Sequence, residues 1–429
     1  MFYFHAPKVT RAAVALFRNF CRNNLDSVYL GTHLYMLKTA LPFPPTEQAQ
    51  WIAQLHKELQ HQTDLLHFKD PIEGLEIDLT CIPEALSIPP KSKDTWSNLF
   101  RYEIKEEKEA NRILLAALME GASALFLTCH KASCNWEKVL ENIEVAYIDC
   151  WIQINDVSNL QQFEQAALVA KKAHIQFLYS EGVVRNFFSA FELQQIGASI
   201  STQLSALLWQ LHRDLENNAL KNHYIFELGI GSQYFLEVAK FRTFRQLISR
   251  LEAIHQVIIS YDLLASTGFS NKSLKDPFTN LLRQATEALS AVIGTCDAIA
   301  VQPYDALSTD GPDDFSRRMA LNVGNLIQEE AQLKTTADPL KDAHVVEALT
   351  AALTTQSWEA LILADQYDEL TAFTPLIAQT REARIERHHT GQQLLIGVNQ
   401  FENTFETKIK QWANIPTYLG FPYLIYELV

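Results

Sequence analysis

Cys129, His130 and Cys134 are side-chain types that bind transition metals, and they lie close together in the chain. A zinc site takes a fourth ligand or leaves one coordination position open to water. The sequence has no second cluster of cysteine and histidine to complete such a site. Burial of these residues near the end of a strand is therefore the favoured interpretation.

The glycines of Gly229-Ile230-Gly231 precede a predicted helix, and glycines in that position can cradle a phosphate. A dinucleotide-binding loop has a third glycine, but Tyr234 occupies that place. The segment therefore predicts a turn or a close packing contact, with phosphate binding as the less favoured alternative.

Two pairs of histidines lie close together in the sequence, and neither predicts a metal site. His56 and His61 are five positions apart, and residues at that spacing do not share one face of a helix. His388-His389 follows Arg384 and predicts the solvated end of a charged helix. No metal site is expected on this chain.

Apolar runs alternate with amphipathic segments through the middle of the chain. Seven runs predict strands: Ala124–Leu127, Val145–Ile154, His174–Leu178, Arg185–Phe191, Ile225–Leu228, Gln256–Leu263 and Ala298–Val301. Five segments predict helices: Glu106–Glu120, Leu160–Lys171, Leu193–Leu215, Gln233–Leu251 and Pro277–Ile293. This alternation predicts a parallel sheet, and its length of about 250 residues favours a (β/α)8 barrel over an open sheet.

The flanks of this region predict the domain organisation. Residues 36–70 have helical spacing, and Ile88-Pro89-Pro90 marks a break. We expect a partly helical N-terminal extension over residues 1–90, a barrel over 91–375, and a C-terminal helix and tail over 376–429 that docks on the barrel or on a partner. Translation can begin at Met1 or at Met36, and a transit peptide remains an alternative at the N-terminus.

Composition excludes two classes of partner. The net charge is −14, and a protein that binds the phosphates of nucleic acid needs clustered Lys and Arg instead. No apolar run reaches the length of about 20 residues that a membrane helix needs. Six scattered cysteines favour a reduced, cytoplasmic setting.

Several ordered segments resemble the methylmalonyl-CoA mutase family. The stretch that begins Leu228-Gly229-Ile230-Gly231 resembles the family's "WGIGMNFFMEVAKLRAAR". Further matches are Asp314-Phe315-Ser316 with "TDFSARIARN", Asp338-Pro339 and Val346-Glu347 with "DPWSGSAYVEELT", and Leu395-Ile396-Gly397 with "LIGVNKY". Arg101 and Ala110-Asn111-Arg112 are more weakly similar to "FRVDDPAEANR". Order and spacing agree over about half of the chain.

The resemblance implies an adenosylcobalamin-dependent isomerisation of an acyl-CoA, typically methylmalonyl-CoA to succinyl-CoA. It also implies a (β/α)8 barrel that encloses the CoA tail along its axis and a cobalamin domain after the barrel. Asp342-Ala343-His344 resembles the start of that domain's cobalt-ligating loop, but Glu347 stands where the loop has glycine. Because few residues follow Asn403, we expect no C-terminal cobalamin-binding domain and no cofactor bound by this chain.

The sequence departs from the family at the positions that carry its chemistry. Glu192 stands in place of the active-site histidine, and Tyr261, Leu263 and Ala265 replace the arginine, histidine and glutamine of "RTHSQTSGWS". A carboxylate at Glu192 would repel an acyl carboxylate. We expect no catalytic residue on this chain, and we expect the new side chains to fill the barrel axis.

The hypothesis is a non-catalytic small subunit that forms a heterodimer with a cobalamin-bearing large subunit of methylmalonyl-CoA mutase. One alternative is an active acyl-CoA mutase barrel that uses a separately encoded cobalamin domain. A second alternative is a barrel scaffold or ligand-binding protein without cobalamin chemistry.

Overall fold

The computed structural model describes residues 47–59, 63–80, 86, 88–91, 93–129, 134–154, 175–179, 186–217, 219–335, 337–402 and 411–429. Contacts between residues divide the chain into a unit that ends at Leu65 and a unit that spans Leu66–Val429. The first unit contains helix α1 (Gln48–Glu58), within the segment for which the spacing predicts a helix.

The second unit opens with an antiparallel hairpin of β1 (His67–Asp70) and β2 (Leu75–Asp78). Eight parallel strands follow: β3 (Ser97–Glu103), β4 (Ala124–Cys129), β5 (Asp149–Ile154), β6 (Ile175–Tyr179), β7 (Phe187–Ser189), β8 (Tyr224–Ile230), β9 (Tyr261–Thr267) and β10 (Ala298–Ala300). Strand β10 pairs with both β9 and β3, so the last strand joins the first. The expected (β/α)8 TIM-type barrel is confirmed.

Helices connect these strands and follow them. They are α2 (Glu107–Met119), α3 (Trp136–Val139), α4 (Phe191–Gln195), α5 (Ile200–Glu216), α6 (Tyr234–His255), α7 (Thr279–Ile293), α8 (Asp314–Asn325), α9 (His344–Ala364) and α10 (Thr374–His389). A short hairpin of β11 (Thr417–Tyr418) and β12 (Phe421–Pro422) lies near the C-terminus. The helix expected over 160–171 lies outside the described residues.

Local chemistry explains where the observed elements depart from the predicted ones. The helix predicted over 193–215 is two helices, because Gly197 has a positive φ of 98° and Ser199 caps the N-terminus of α5. Strand β9 begins five residues later than predicted, because Gln256 ends α6 in the left-handed conformation. Strand β3 was missed, since its sequence SNLFRYE mixes charged and apolar residues.

The strands separate two apolar layers, because successive side chains on a strand point to opposite faces. Outward-facing residues such as Phe226 and Leu263 pack with residues of α5 and α6, including Leu207 and Phe244. Inward-facing residues from seven strands form a separate cluster. Only the barrel axis can bring together side chains from that many strands.

Candidate functional site at the barrel mouth

The middle of the barrel axis is filled by apolar side chains. The cluster comprises Leu99, Ala124, Phe126, Trp151, Phe187, Ile225, Leu264, Ala298 and Ala300. Each of them exposes 4% or less of its surface. The described side chains therefore form a packed layer across the axis, as in TIM barrels whose interior is a core rather than a pore.

Below this layer, at the amino ends of the strands, charged groups are paired. Lys93 Nζ lies 2.8 Å from Asp149 Oδ2 and 3.4 Å from the buried Asp262 Oδ2. Burial disfavours the ammonium, but the two carboxylates outweigh it and raise the pKa of Lys93. This arrangement closes the lower end of the axis with ion pairs.

Above the apolar layer, at the carboxyl ends of the strands, Glu227 is the centre of a polar cluster. Glu227 comes from β8 and is 1% exposed. Its Oε1 accepts from Arg101 Nη1 on β3 and from Ser266 Oγ on β9, the latter at 2.7 Å. The Arg101 guanidinium also lies 4.3 Å from the centre of the Phe126 ring. These contacts pair the Glu227 carboxyl group with the Arg101 guanidinium and the Ser266 hydroxyl.

Ser189 joins Glu227 to Glu192. Its Oγ lies 2.8 Å from Glu227 Oε2 and 3.0 Å from Glu192 Oε2, and it accepts from the Phe191 N–H at 3.1 Å. One hydroxyl proton cannot serve two carboxylates. Burial, reinforced by the Glu227 charge, raises the pKa of Glu192. The raised pKa favours the protonated form of Glu192, and a protonated carboxyl can donate to Ser189 Oγ while the hydroxyl donates to Glu227 Oε2.

The C-terminal tail covers this mouth. The hairpin of β11 and β12 turns at Leu419 and Gly420, both with positive φ, which suits a two-residue hairpin. Backbone N–H groups of the tail donate to carbonyls in loops that follow three barrel strands: Leu424 to Gln195 (2.7 Å), Tyr426 to Ser270 (2.8 Å) and Ala413 to Leu307 (2.9 Å). These loops lie at the face where TIM-barrel enzymes bind substrate.

Two tyrosines of the tail lie beside the carboxyl pair. Burial and the neighbouring Glu192 raise the pKa of Tyr418 to about 12, and burial with Glu192 and Glu227 raises the pKa of Tyr423 further. Tyr423 stacks on Phe269 with ring centres 6.5 Å apart. The tail therefore places neutral phenols, which carry no positive charge, over the carboxyl pair.

Glu192→Gln is expected to leave the free energy of unfolding at pH 8 unchanged or higher. An amide donates to Ser189 as the protonated carboxyl does, and it has no charge to desolvate. A raised pKa means that the folded protein binds the proton more tightly, so the stability of the unmodified chain falls as pH rises above about 4.3, the usual pKa of glutamate. Urea unfolding between pH 5 and pH 8 should show a flatter dependence for Glu192→Gln.

The exposed Glu76→Gln is the matched control for this change, and it should retain the pH dependence of the unmodified protein. A loss of more than about 1.5 kcal/mol at pH 8 in Glu192→Gln would contradict a raised pKa of Glu192, because hydrogen bonds to a charged group contribute about 1.5–3 kcal/mol.

The residues singled out on β9 do not line the axis, and this corrects the expectation that they fill it. Tyr261 packs edge-on against Phe244 of α6, at 5.9 Å between ring centres. Leu263 and Ala265 belong to the same outer cluster. The resemblance located these positions in the strand but could not tell which face they occupy. The inward positions of β9 are Asp262, Leu264 and Ser266.

Gly229 and Gly231 lie where β8 ends and the chain enters α6, and the space around them is small. An added Cβ would lie 3.0 Å from Gln194 at Gly229 and 2.8 Å from Glu237 Oε1 at Gly231. A side chain at Gly229 would press on Gln194 Cβ, and one at Gly231 would displace the end of the Glu237 side chain. Close packing accounts for both glycines, in agreement with the favoured interpretation.

Cys129 and Cys134 are both buried in the apolar cluster between α2 and the sheet. His130 and His61 lie outside the described residues. His344 begins α9 and is exposed, and the preceding Asp342 N–H donates to Glu347 Oε1 at 3.0 Å. Glu347 in turn pairs with the buried Arg242 at 2.6 Å. This segment is therefore held by a structural ion pair.

No motif in the sequence marks Ser266, Tyr418 or Tyr423 as part of a site, and none assigns a role to Arg101 or Glu227. Arg101 lay in a weakly matching segment, and Glu227 directly precedes the strongest match. A charged residue inside an apolar strand, as in YIFELGI, was the signal that could have identified Glu227.

Comparison with known proteins agrees with the motifs. The family model described as methylmalonyl-CoA mutase matches residues 189–417. A methylmalonyl-CoA mutase small subunit from Porphyromonas gingivalis is 32% identical over 51% of this chain and 38% of its own length. The Escherichia coli methylmalonyl-CoA mutase is 26% identical over 52% of this chain and 33% of its own length. The chain thus spans about a third of the length of these relatives.

Among solved structures, the chain is similar to a dihydropteroate synthase from Thermus thermophilus at 15% identity and a TM-score of 0.32. That match covers 55% of this chain and 96% of the other. A likeness this distant carries no functional information.

The chain therefore forms a TIM-type barrel whose axis is packed with side chains. The C-terminal tail covers the mouth of this barrel at the carboxyl ends of the strands. The chain belongs to the methylmalonyl-CoA mutase family. In the part of the chain that the structure describes, no helix has both the length and the apolar character that crossing a membrane requires.

Proposed function

We propose that this chain is a non-catalytic small subunit of an adenosylcobalamin-dependent methylmalonyl-CoA mutase in the cytoplasm. A large subunit carries the isomerisation of methylmalonyl-CoA and succinyl-CoA. The observation that supports this most is the apolar layer across the barrel axis, with Trp151, Phe187 and Leu264 almost fully buried. In this family the axis encloses the CoA tail, and a packed axis leaves no path for it.

The charges at the mouth also oppose binding of an acyl-CoA. Its phosphates and acyl carboxylate need cationic partners, and the guanidinium of Arg101 is already paired with Glu227. Glu192 adds a second carboxyl group to the same cluster. Stabilisation of a transition state needs donors aimed at the reacting atoms, and here those donors satisfy each other.

The described residues do not suit adenosylcobalamin either. The tail hairpin covers the face on which a corrin ring would lie, and it presents Tyr418 and Tyr423 to the carboxyl pair. The backbone beside His344 is fixed by Glu347, which pairs with Arg242. His344 therefore does not lie in a loop that could bind cobalt. We therefore assign the cofactor to the large subunit.

An exposed apolar patch supports a subunit role. Phe278 and Leu282 lie at the start of α7, and the loop with Ile396 and Phe401 lies beside them. Arg283 donates to the Ile396 carbonyl, which ties the two segments together. Contiguous apolar surface of this kind marks interaction sites in soluble proteins.

Co-expression with a methylmalonyl-CoA mutase large subunit is expected to give one peak of the heterodimer on size-exclusion chromatography. The complex should isomerise methylmalonyl-CoA, and this chain alone with adenosylcobalamin should not. Two separate peaks would contradict the proposal.

Within the same experiment, Leu282→Glu is expected to weaken the complex by at least about tenfold, because a charge in an apolar interface costs more than about 1.4 kcal/mol. Ile258→Glu is the matched control, since Ile258 is 90% exposed and lies outside the patch. If both variants weaken the complex equally, the patch is not part of the interface.

The alternative is an active barrel that works with a separately encoded cobalamin domain. The observation in its favour is the pair of carboxyl groups of Glu192 and Glu227, joined through Ser189 at the carboxyl ends of the strands, where burial raises the pKa of Glu192. Turnover of an acyl-CoA by this chain with an added cobalamin protein would support it, provided that Glu192→Gln abolishes the turnover.

A further inference from the structure

Three helices end at one place on the surface, far in sequence from one another. His212 lies one turn before the end of α5, His255 is the last residue of α6, and Asp365 follows the last residue of α9. The C-terminus of a helix carries a partial negative charge from its unpaired carbonyl groups. Three such ends together favour a bound cation.

The side chains at this place have the composition of a metal site. His212 Nε2 lies 3.4 Å from Glu216 Oε1 and 3.4 Å from Asp365 Oδ1. The ligand atoms of the three residues all lie within 4.8 Å of one another. His212 and Glu216 are one helical turn apart on α5, so their side chains share a face.

The distances suit a shared ion better than direct hydrogen bonds. An N–H···O hydrogen bond has a usual length of about 2.9 Å, and one imidazole proton cannot serve two carboxylates. Ligands bound at 2.0–2.2 Å around a tetrahedral zinc lie about 3.3–3.5 Å from each other. The two separations of 3.4 Å from His212 Nε2 match that spacing.

His255 orients the ring of His212. The Nδ1 atom of His212 lies 2.9 Å from His255 Nε2, within hydrogen-bonding distance. When His212 donates from Nδ1, the lone pair on Nε2 points toward Glu216 and Asp365. Histidine ligands of metals are usually fixed by such a bond from the second ring nitrogen.

The charged side chains around these ligands favour the binding of a divalent cation. Arg213 lies 3.2 Å from Glu216 Oε2 and 3.6 Å from Asp368 Oδ1, and it also donates to the Asp365 carbonyl at 2.6 Å. This single guanidinium faces three carboxylates, with Asp365 as the third. Asp365 Oδ1 is inaccessible to solvent and makes no hydrogen bond.

We propose that His212, Glu216 and Asp365 bind one divalent transition-metal ion of the Zn²⁺ type, which ties the C-terminal end of α5 to that of α9. An imidazole with two carboxylates favours zinc over magnesium or calcium, which prefer oxygen ligands alone. A water or a partner side chain completes the coordination. The site is independent of the proposed role as a subunit, and the two can be tested separately.

Isothermal titration of the metal-stripped full chain with ZnCl₂ tests the site. We expect one equivalent to bind and the melting temperature to rise, because only the folded chain brings the three ligands together. Co²⁺ at the same site should give the visible absorption of a tetrahedral complex. His212→Gln and Asp365→Asn should each weaken zinc binding by at least about tenfold, and His255→Gln by about 10–100-fold, as expected for a residue that orients a ligand.

His67→Gln is the matched control, since His67 lies 3.9 Å from a single carboxylate, that of Glu76, outside the cluster. It should bind zinc as the unmodified chain does. Circular dichroism of each variant establishes that it is folded, and Glu216→Gln serves if His212→Gln is not. Zinc binding that is absent, or that is equal in folded His212→Gln and His67→Gln, would overturn the proposal.

Discussion

Glu227→Gln is expected to lower the free energy of unfolding by about 3 kcal/mol. This is the lower end of the range for breaking a buried ion pair, because Arg101 keeps 25% of its side-chain surface exposed. The substitution leaves the guanidinium without its counter-charge above an apolar layer. It also replaces an acceptor of the Ser266 hydroxyl with a group of lower charge. Urea unfolding at neutral pH, followed by circular dichroism, measures the change.

Glu76→Gln is the control for that substitution, because Glu76 forms an exposed ion pair with Lys69 at 3.1 Å. Exposed pairs contribute about 0–1 kcal/mol. Combining Glu227→Gln with Arg101→Met should recover part of the loss, since the uncompensated charge is then removed as well. If Glu227→Gln and Glu76→Gln lower the free energy of unfolding equally, the mouth is open to water, and water screens the charge of Glu227.

Trp151→Ala is expected to cost about 3–5 kcal/mol, the range for removing a large aromatic side chain from a core. Trp151 is 1% exposed and lies in the layer that closes the axis, with inward residues of six other strands. Its removal leaves a cavity that rigid neighbouring strands cannot collapse to fill. Thermal and urea unfolding measure the loss.

Trp51→Ala makes the same change on α1, where Trp51 is 48% exposed. We expect it to alter stability by less than about 0.5 kcal/mol, as for most surface substitutions. A small effect of Trp151→Ala would mean that the axis is hydrated and open, which would remove the main support for a non-catalytic barrel.

Local pattern predicted much of the fold, because a strand or an amphipathic helix is written in consecutive residues. The runs at Ala124–Leu127 and Ile225–Leu228 became β4 and β8. Strand β3 was not predicted, because its inward face carries Arg101. The partner of Arg101 is Glu227, which lies 126 residues away in the chain. A charge inside a barrel is stable only with that partner, and periodicity cannot show the pairing.

The candidate site was predictable only as a set of departures from a family. Glu192 was singled out as an unusual carboxyl, and the structure places it in the mouth. Its raised pKa depends on burial and on the nearby Glu227, which Ser189 joins to it only in the folded chain. Leu263 points outward because side chains of β9 alternate between the two faces of the sheet. A shift of one residue in the pairing of β9 with its neighbours would turn Leu263 inward.

The sequence by itself determined the family and the alternation of strands and helices, because both are recorded in consecutive residues. Only the tertiary structure decided which side chains close the axis, that the tail covers the mouth, and that His212 meets Asp365. Those contacts join residues that are distant in the chain, such as His212 and Asp365, and their free energy depends on burial and on distance in space. Neither quantity is recorded in the order of the residues.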